Sequence, residues 1–312
     1  MTHTPVLLNE VMEILNPKPG EFIIDGTFGS GGHSVSIIKK MDFRGKFLAV
    51  DWDGKNIDKG KIMIESNFQF SISNFQLIFE NKNYADIAEI LKKDKLPKAD
   101  GLLIDLGFSS VQMDESGRGF SFQNDEPLDM RYNTGEVESE KESGERMITA
   151  AEVVNSFPEK ELADIFYIYG EERFSRQIAK KIVEERRKER ILTTTRLVEV
   201  VKMAVSKNYE KGRINPATRV FQALRIYVNK ELDNLTKVLD SLPGILKPEG
   251  KALMISFHSL EDRIVKNKFR DMEKNKIGKI LTKKPVIASE EEIRDNPRSR
   301  SAKLRAIEII KS

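Results

Sequence analysis

The segment Phe22-Ile23-Ile24-Asp25-Gly26-Thr27-Phe28-Gly29-Ser30-Gly31-Gly32-His33 constrains the fold more than any other part of this chain. A short apolar run ends in an acid, a glycine-rich turn follows, and residues 34–40 then carry an amphipathic helical pattern. Glycines permit a sharp turn and close approach of backbone to a ligand. A strand, turn and helix in this order open the nucleotide-type sites of α/β proteins. Asp25 is the unusual member. It puts negative charge where a dinucleotide fold receives a pyrophosphate, which points to a cationic cofactor.

The same alternation continues downstream. Apolar runs at 22–25, 46–51, 75–79 and 101–105 alternate with helical patterns at 34–40, 53–65 and 84–93. This predicts a parallel sheet covered on both faces. Beyond Gly107 the pattern breaks, and residues 111–144 read as loop, with a strongly polar piece at 135–144. Residues 149–207 look helical throughout. Phe174, Ile178 and Ile182 give one helix an apolar face, and Arg173, Arg176, Lys180 and Arg187 cluster on another. A long helix with one break then spans 217–246. It is followed by a turn at Pro248-Glu249-Gly250, a strand at 251–257, a helix at 260–272 and a terminal strand at 302–310. The expected architecture is α/β, a Rossmann-like, mostly parallel sheet interrupted by an all-helical insertion. Residues 1–112 and 215–312 form the sheet domain and residues 113–214 the inserted domain. The insertion leaves at the end of the fourth strand, where ligand sites of open α/β sheets lie.

Composition removes several function classes. The chain has 312 residues, enough for two domains, and its net charge is only +3, so any nucleic-acid surface is local. Cysteine is absent and the three histidines are scattered, so neither disulfides nor a metal site are expected. Residues 1–16 lack the basic and apolar regions of a signal peptide, and no apolar run reaches transmembrane length. The expectation is a cytoplasmic protein with no membrane partner.

Three acids, Asp25, Asp51 and Asp105, stand at predicted C-terminal strand ends. Clustered carboxylates repel unless something cationic or rich in hydrogen-bond donors lies among them. S-adenosyl-L-methionine fits this set better than NAD, because it carries an ammonium, a carboxylate, a sulfonium and a ribose but no phosphate. Asp25 or Asp105 suits the ammonium. The backbone amides of Gly31, Gly32 and His33 suit the carboxylate, and Asp51 suits the ribose diol. Tyr84 either covers the adenine or packs in the core. A dehydrogenase is the competing enzyme class, and Asp25 in the glycine turn speaks against it.

Leu103-Ile104-Asp105-Leu106-Gly107-Phe108-Ser109-Ser110 occupies the place where amine-directed methyltransferases receive their target. The exocyclic amine of a base is a poor nucleophile because its lone pair is delocalised into the ring. Acceptors that bond the amine protons free that lone pair. Asp105, Ser109 and Ser110 offer such acceptors, although Ser109-Ser110 also suits a helix cap. His258, after the fifth strand, is either a substrate contact or a helix-start residue. Methylation at carbon-5 of a pyrimidine begins with a cysteine nucleophile, which this chain lacks, so transfer to nitrogen or oxygen is left. Candidate phosphate contacts are Arg173, Arg176 and Lys180 on the basic helix face, and Arg298, Arg300 and Arg305 in an arginine-dense segment.

A series of motifs runs nearly end to end. They are His3-Thr4-Pro5-Val6-Leu7-Leu8, Asp25-Gly26-Thr27-Phe28-Gly29 with Gly31-Gly32-His33-Ser34, Asp105-Leu106-Gly107 with Ser109-Ser110, and Arg118-Gly119-Phe120-Ser121-Phe122. Pro127-Leu128-Asp129-Met130-Arg131, Tyr169-Gly170-Glu171-Glu172-Arg173-Phe174, Pro216-Ala217-Thr218-Arg219, Ser256-Phe257-His258-Ser259-Leu260-Glu261-Asp262-Arg263 and Asn296-Pro297-Arg298 complete it. In this order they resemble the ribosomal RNA small subunit methyltransferase H family, class I S-adenosylmethionine enzymes with a helical insertion. The resemblance implies N4-methylation of a cytidine in the decoding centre of 16S rRNA, with the small ribosomal subunit as partner and the enzyme a monomer or homodimer. It also implies cofactor contacts at Gly31, Gly32, His33, Asp51, Tyr84, Asp105 and Gln112. The loop after Asp105 departs from the Pro-Pro-aromatic loop of DNA amine methyltransferases, so their catalytic details do not carry over. A non-catalytic RNA-binding assembly factor with the same fold is the competing reading.

Overall fold

Apolar residues in strict alternation build the sheet. In strand β4, Leu102 and Ile104 enter one hydrophobic cluster and Leu103 the opposite one, and Ile23 and Ile24 of β1 divide in the same way. A period of two with both sides apolar buries both faces, as a sheet flanked by helices requires. A computed structural model of the chain describes residues 5–67 (side chains through Ile64), 75–107, 117–133, 147–206, 209–212 and 214–311.

The chain divides into two compact units, Met1–Gly107 with Leu232–Ser312, and Phe108–Glu231. The first runs α1 (Leu8–Leu15), β1 (Phe22–Asp25), α2 (Gly32–Lys40), β2 (Gly45–Val50), α3 (Gly54–Asn67), β3 (Phe75–Glu80), α4 (Ile87–Lys93) and β4 (Ala99–Asp105). The second holds α5 (Ala150–Ser156), α6 (Glu159–Gly170), α7 (Ser175–Arg186), α8 (Thr194–Ala204) and α9 (Ala217–Val228). After it come α10 (Glu231–Ile245), β5 (Leu246–Ser256), α11 (Ser259–Lys274), β6 (Gly278–Ile280), α12 (Glu290–Asp295) and β7 (Lys303–Ile309).

The sheet order is β3-β2-β1-β4-β5-β7-β6. Strands β1 to β5 pair in parallel, while β7 is antiparallel to both β5 and β6. The chain winds outward from β1 through β2 to β3, then restarts beside β1 at β4 and winds the other way. The switch point between β1 and β4 therefore opens a crevice at their carboxyl ends. The turn expected at Pro248-Glu249-Gly250 lies inside β5. The register against β4 jumps from Ala99↔Leu246 to Gly101↔Lys251, and Glu249 adopts a φ of 68°.

In the helical unit, α5 begins with a reciprocal cap between Thr149 and Glu152. Helices α6 and α9 approach closely at Gly170, where a Cβ would lie 2.5 Å from the Arg219 carbonyl oxygen. Helix α9 corrects the expected return boundary. Residues 215–231 fall with the helical unit and not with the sheet, because α9 buries Val220, Phe221, Leu224 and Val228 in the helical core. The break expected in the long helix lies at Asn229–Lys230, where Lys230 has a φ of 50°. Among the described residues no helix is long and apolar enough to cross a membrane.

Candidate active site

The glycine turn is tied to both neighbours of β1. Gly26 N donates to the Leu103 carbonyl and Phe28 N to the Val50 carbonyl, each at 2.9 Å. The turn thus spans the ends of β4 and β2. Gly31, with a φ of 77°, serves as N-cap of α2, a conformation that glycine adopts without strain. No side chain caps α2, so its first backbone amides are available to an anion. Gly32 is a glycine for another reason: a Cβ there would lie 2.7 Å from Pro5 Cγ.

Asp25 does not face the crevice. Its side chain is buried, with one oxygen accepting Ser34 Oγ at 2.6 Å and the other accepting Thr27 N at 3.2 Å. Burial pushes its carboxyl above the ordinary range, against the hydrogen bonds that hold it down. The cationic cofactor inferred from Asp25 therefore has its partner elsewhere, and Asp25 pins the start of α2 to the end of β1. Asp105 is the more open acid, its side chain 20% exposed. Thr27 Oγ1 accepts Asp105 N at 2.6 Å, and Asp105 Oδ1 accepts Gly107 N at 3.0 Å.

His33 is buried, and burial lowers its pKa. Its Nε2 lies 3.0 Å from the Val6 carbonyl, which assigns the proton to Nε2 and leaves Nδ1 as an acceptor, 3.9 Å from Asp105 Oδ2. Asp51 organises the β2 end. Gly29 N donates to its Oδ2 at 2.7 Å, and Asp53 N and Asn56 Nδ2 donate to its Oδ1 at 2.8 and 3.1 Å. Burial raises its pKa to about 6 despite these bonds. Three donors on a carboxylate with about four acceptor sites leave room for one more. Tyr84 is half-buried and packs against the core cluster on that side of the sheet.

Across β4, Leu106 N donates to the Ile255 carbonyl at 2.9 Å, and the Phe257 ring presses on Gly107, where a Cβ would meet it at 2.7 Å. These contacts bring Asp105 and the β5 end together. His258 there is the N-cap of α11. Its Nδ1 accepts Glu261 N at 3.4 Å, while Glu261 Oε2 accepts Phe257 N at 2.8 Å and His258 N at 3.3 Å. His258 Nε2 is 3.0 Å from Glu261 Oε1 but outside hydrogen-bonding alignment. The helix-start alternative for His258 is thus realised. Ser109, Ser110 and Gln112 lie outside the described residues.

The first unit thus gathers Gly31, Gly32, His33, Asp51, Tyr84, Asp105 and His258 along the carboxyl edge of the sheet. Thr27, Asn56 and the Val6 carbonyl, which spacing gave no reason to select, hold the acids and the histidine in place. The candidate phosphate contacts divide. Arg305 is a correction: it is buried in β7 with Nε 2.7 Å and Nη2 3.3 Å from the two oxygens of Asp262, so it supports the fold and does not reach RNA. Arg298 and Arg300 are exposed in the turn Pro297–Ser301. In the helical unit Arg176 and Lys180 are exposed, while Arg173, also exposed, bonds Glu210 at 2.6 Å.

Residues 1–310 match the MraW methylase family. The chain is 45% identical to the Ribosomal RNA small subunit methyltransferase H of Desulfotalea psychrophila over 99% of this chain and 98% of that protein. The proteins of the same name from Syntrophotalea carbinolica and Kosmotoga olearia are 43% and 44% identical, over 98% and 99% of this chain and 97% and 98% of their own lengths.

Proposed function

The chain belongs to the MraW methylase family, and on that premise we propose that it methylates small-subunit ribosomal RNA, at the N4 amine of a cytidine in the decoding centre of 16S rRNA. S-adenosyl-L-methionine is the cofactor, and the cytoplasm is the site of action of a monomer or homodimer. The observation that carries this reading is full-length similarity to proteins named for this activity, joined to acids at the carboxyl ends of β2 and β4 beside an uncapped helix.

The donor set suits the cofactor. The free acceptor site of Asp51 suits the ribose hydroxyls, the first amides of α2 suit the carboxylate, and Asp105 with the Nδ1 lone pair of His33 suits the ammonium. Tyr84 and Gln112 complete the adenosine side in this reading. When bound, S-adenosylmethionine supplies an electrophilic methyl group on sulfur. The residues of the chain have to orient the amine and take up its proton hydrogen bonds. Asp105, Ser109 and Ser110 are the acceptors proposed for that task, since an exocyclic amine needs such acceptors to free its lone pair. His258, whose Nδ1 already accepts Glu261 N, would act by setting the β5 end of the site. The target base must leave its stack to reach this edge. Arg173, Arg176 and Lys180 of the helical unit, with Arg298 and Arg300, are the proposed phosphate contacts.

Incubation of small ribosomal subunits with radiolabelled S-adenosylmethionine, followed by nucleoside analysis, tests the reading. N4-methylcytidine is expected. Label on ribose oxygen would overturn the chemistry, and tight subunit binding without transfer would favour an assembly factor.

A further inference from the structure

Residues Pro5, Val6 and Leu7 precede α1 and belong to no strand, yet three separate contacts fix them. Pro5 rests on Gly32. The Val6 carbonyl accepts His33 Nε2 at 3.0 Å. Leu7 N donates to Glu292 Oε1 at 2.7 Å, across 285 positions of sequence. Leu7 is fully buried and left-handed, with a φ of 54° and a ψ of 36°. A leucine persists there only where its surroundings over-determine it. Glu292 is itself held in place, since Ser289 Oγ accepts its backbone N–H at 3.1 Å. Ala288 and Ile293 on either side of it pack in the same cluster as Val6 and Leu7.

Two of the three contacts fall on Gly32 and His33, the residues whose amides open α2. We propose that Pro5–Leu7 forms a strap over the carboxylate end of the cofactor site, and that Glu292 is a positioning residue acting through it. This rests on the cofactor assignment above. The strap seats the first turn of α2 through the Pro5 ring and the His33 imidazole, and the Glu292 carboxylate holds Leu7 in its strained conformation. Whatever immobilises the first turn of α2 then immobilises the strap, and by reciprocity a loosened strap weakens the ligand.

The test uses the full chain, S-adenosylhomocysteine titrated by calorimetry, and hydrogen exchange of the peptide containing Leu7. In the wild type, ligand should slow exchange at Leu7. Losing a hydrogen bond to a charged acceptor predicts about tenfold weaker binding in Glu292→Ala, with kcat unchanged at saturating cofactor and KM raised. Glu292→Gln keeps the acceptor oxygen and should bind within about twofold of wild type. Pro5→Ala, which keeps the carboxylate but removes the ring from Gly32, should weaken binding with the same split between KM and kcat. Wild-type binding with unchanged Leu7 exchange, or full affinity in Glu292→Ala, would overturn the strap. Absence of any binding by the wild type would instead overturn the cofactor assignment.

Discussion

Asp51 shows how one carboxylate carries two opposed pH dependences. Burial raises its pKa from 3.8 to about 6, so the folded state favours the protonated form relative to the unfolded chain. The folded protein therefore binds more protons than the unfolded chain between those values. From this group, stability falls as pH rises through the window and is highest below it. Cofactor affinity runs the other way, because a ribose hydroxyl needs the ionised acceptor. Affinity for S-adenosylhomocysteine should drop as pH falls from about 7 to about 5, while Asp51→Asn should bind weakly with a flat profile. Calorimetry across that range checks both, and a wild-type profile as flat as the variant's would remove Asp51 from the ribose. The residue types at the strand ends were legible in the sequence; the division of labour among them was not. Asp25 and Asp105 both follow apolar runs, and only the Ser34 hydroxyl, nine positions beyond Asp25, turns the first inward.

At the scale of elements, α3 is seated on the glycine turn through Gly60, which faces Phe28, and through Met63, which packs on Gly31. A Cβ on Gly60 would lie 1.9 Å from Phe28 Cε1. Phe28 in turn meets Phe79 edge-on, with ring centroids 5.5 Å apart. Alanine in an exposed helix interior gains about 1 kcal/mol over glycine. Overpacking costs about 1–3 kcal/mol, so here the sign reverses. Gly60→Ala should lower stability in urea unfolding and weaken cofactor binding by displacing the turn; a stabilised variant would show that Phe28 moves freely. Elements of this kind were largely visible in the sequence, since apolar alternation and helical periodicity are local. Their allegiance was not. The amphipathic pattern of α9 says that one face is buried, not which core buries it. Likewise Arg305 lies among arginines that suit a phosphate surface, while its partner Asp262 stands on α11, 43 residues away.

For the whole molecule, a net charge of +3 makes RNA affinity a question of which cations are already engaged. Lys181, Lys188 and Arg196 all pair with Glu185, and Arg173 and Arg219 share Glu210. Arg176, Lys180 and Arg187 are exposed and form no ion pair among the described residues. On a helix they fall within a stripe of about 40° and about 16 Å long, so one phosphate strand can follow all three. Each phosphate neutralised releases condensed counterion, and three such contacts contribute roughly 2–3 to the slope of log affinity against log salt. Replacing the three with alanine should weaken binding to small ribosomal subunits and reduce that slope by this amount. The fold should be unaffected to within about 0.5 kcal/mol, because these exposed side chains form no ion pair among the described residues. Arg305→Ala gives the contrasting result. It removes the Arg305 hydrogen bonds from the partly buried Asp262 and leaves Lys303 Nζ at 3.7 Å, at a cost of about 1–3 kcal/mol, so the protein unfolds earlier while the salt slope of what is folded stays unchanged. If the triple variant keeps the wild-type slope, Arg176, Lys180 and Arg187 are not the phosphate contacts, and the same substitution and salt titration at Arg298 and Arg300 tests the other proposed surface.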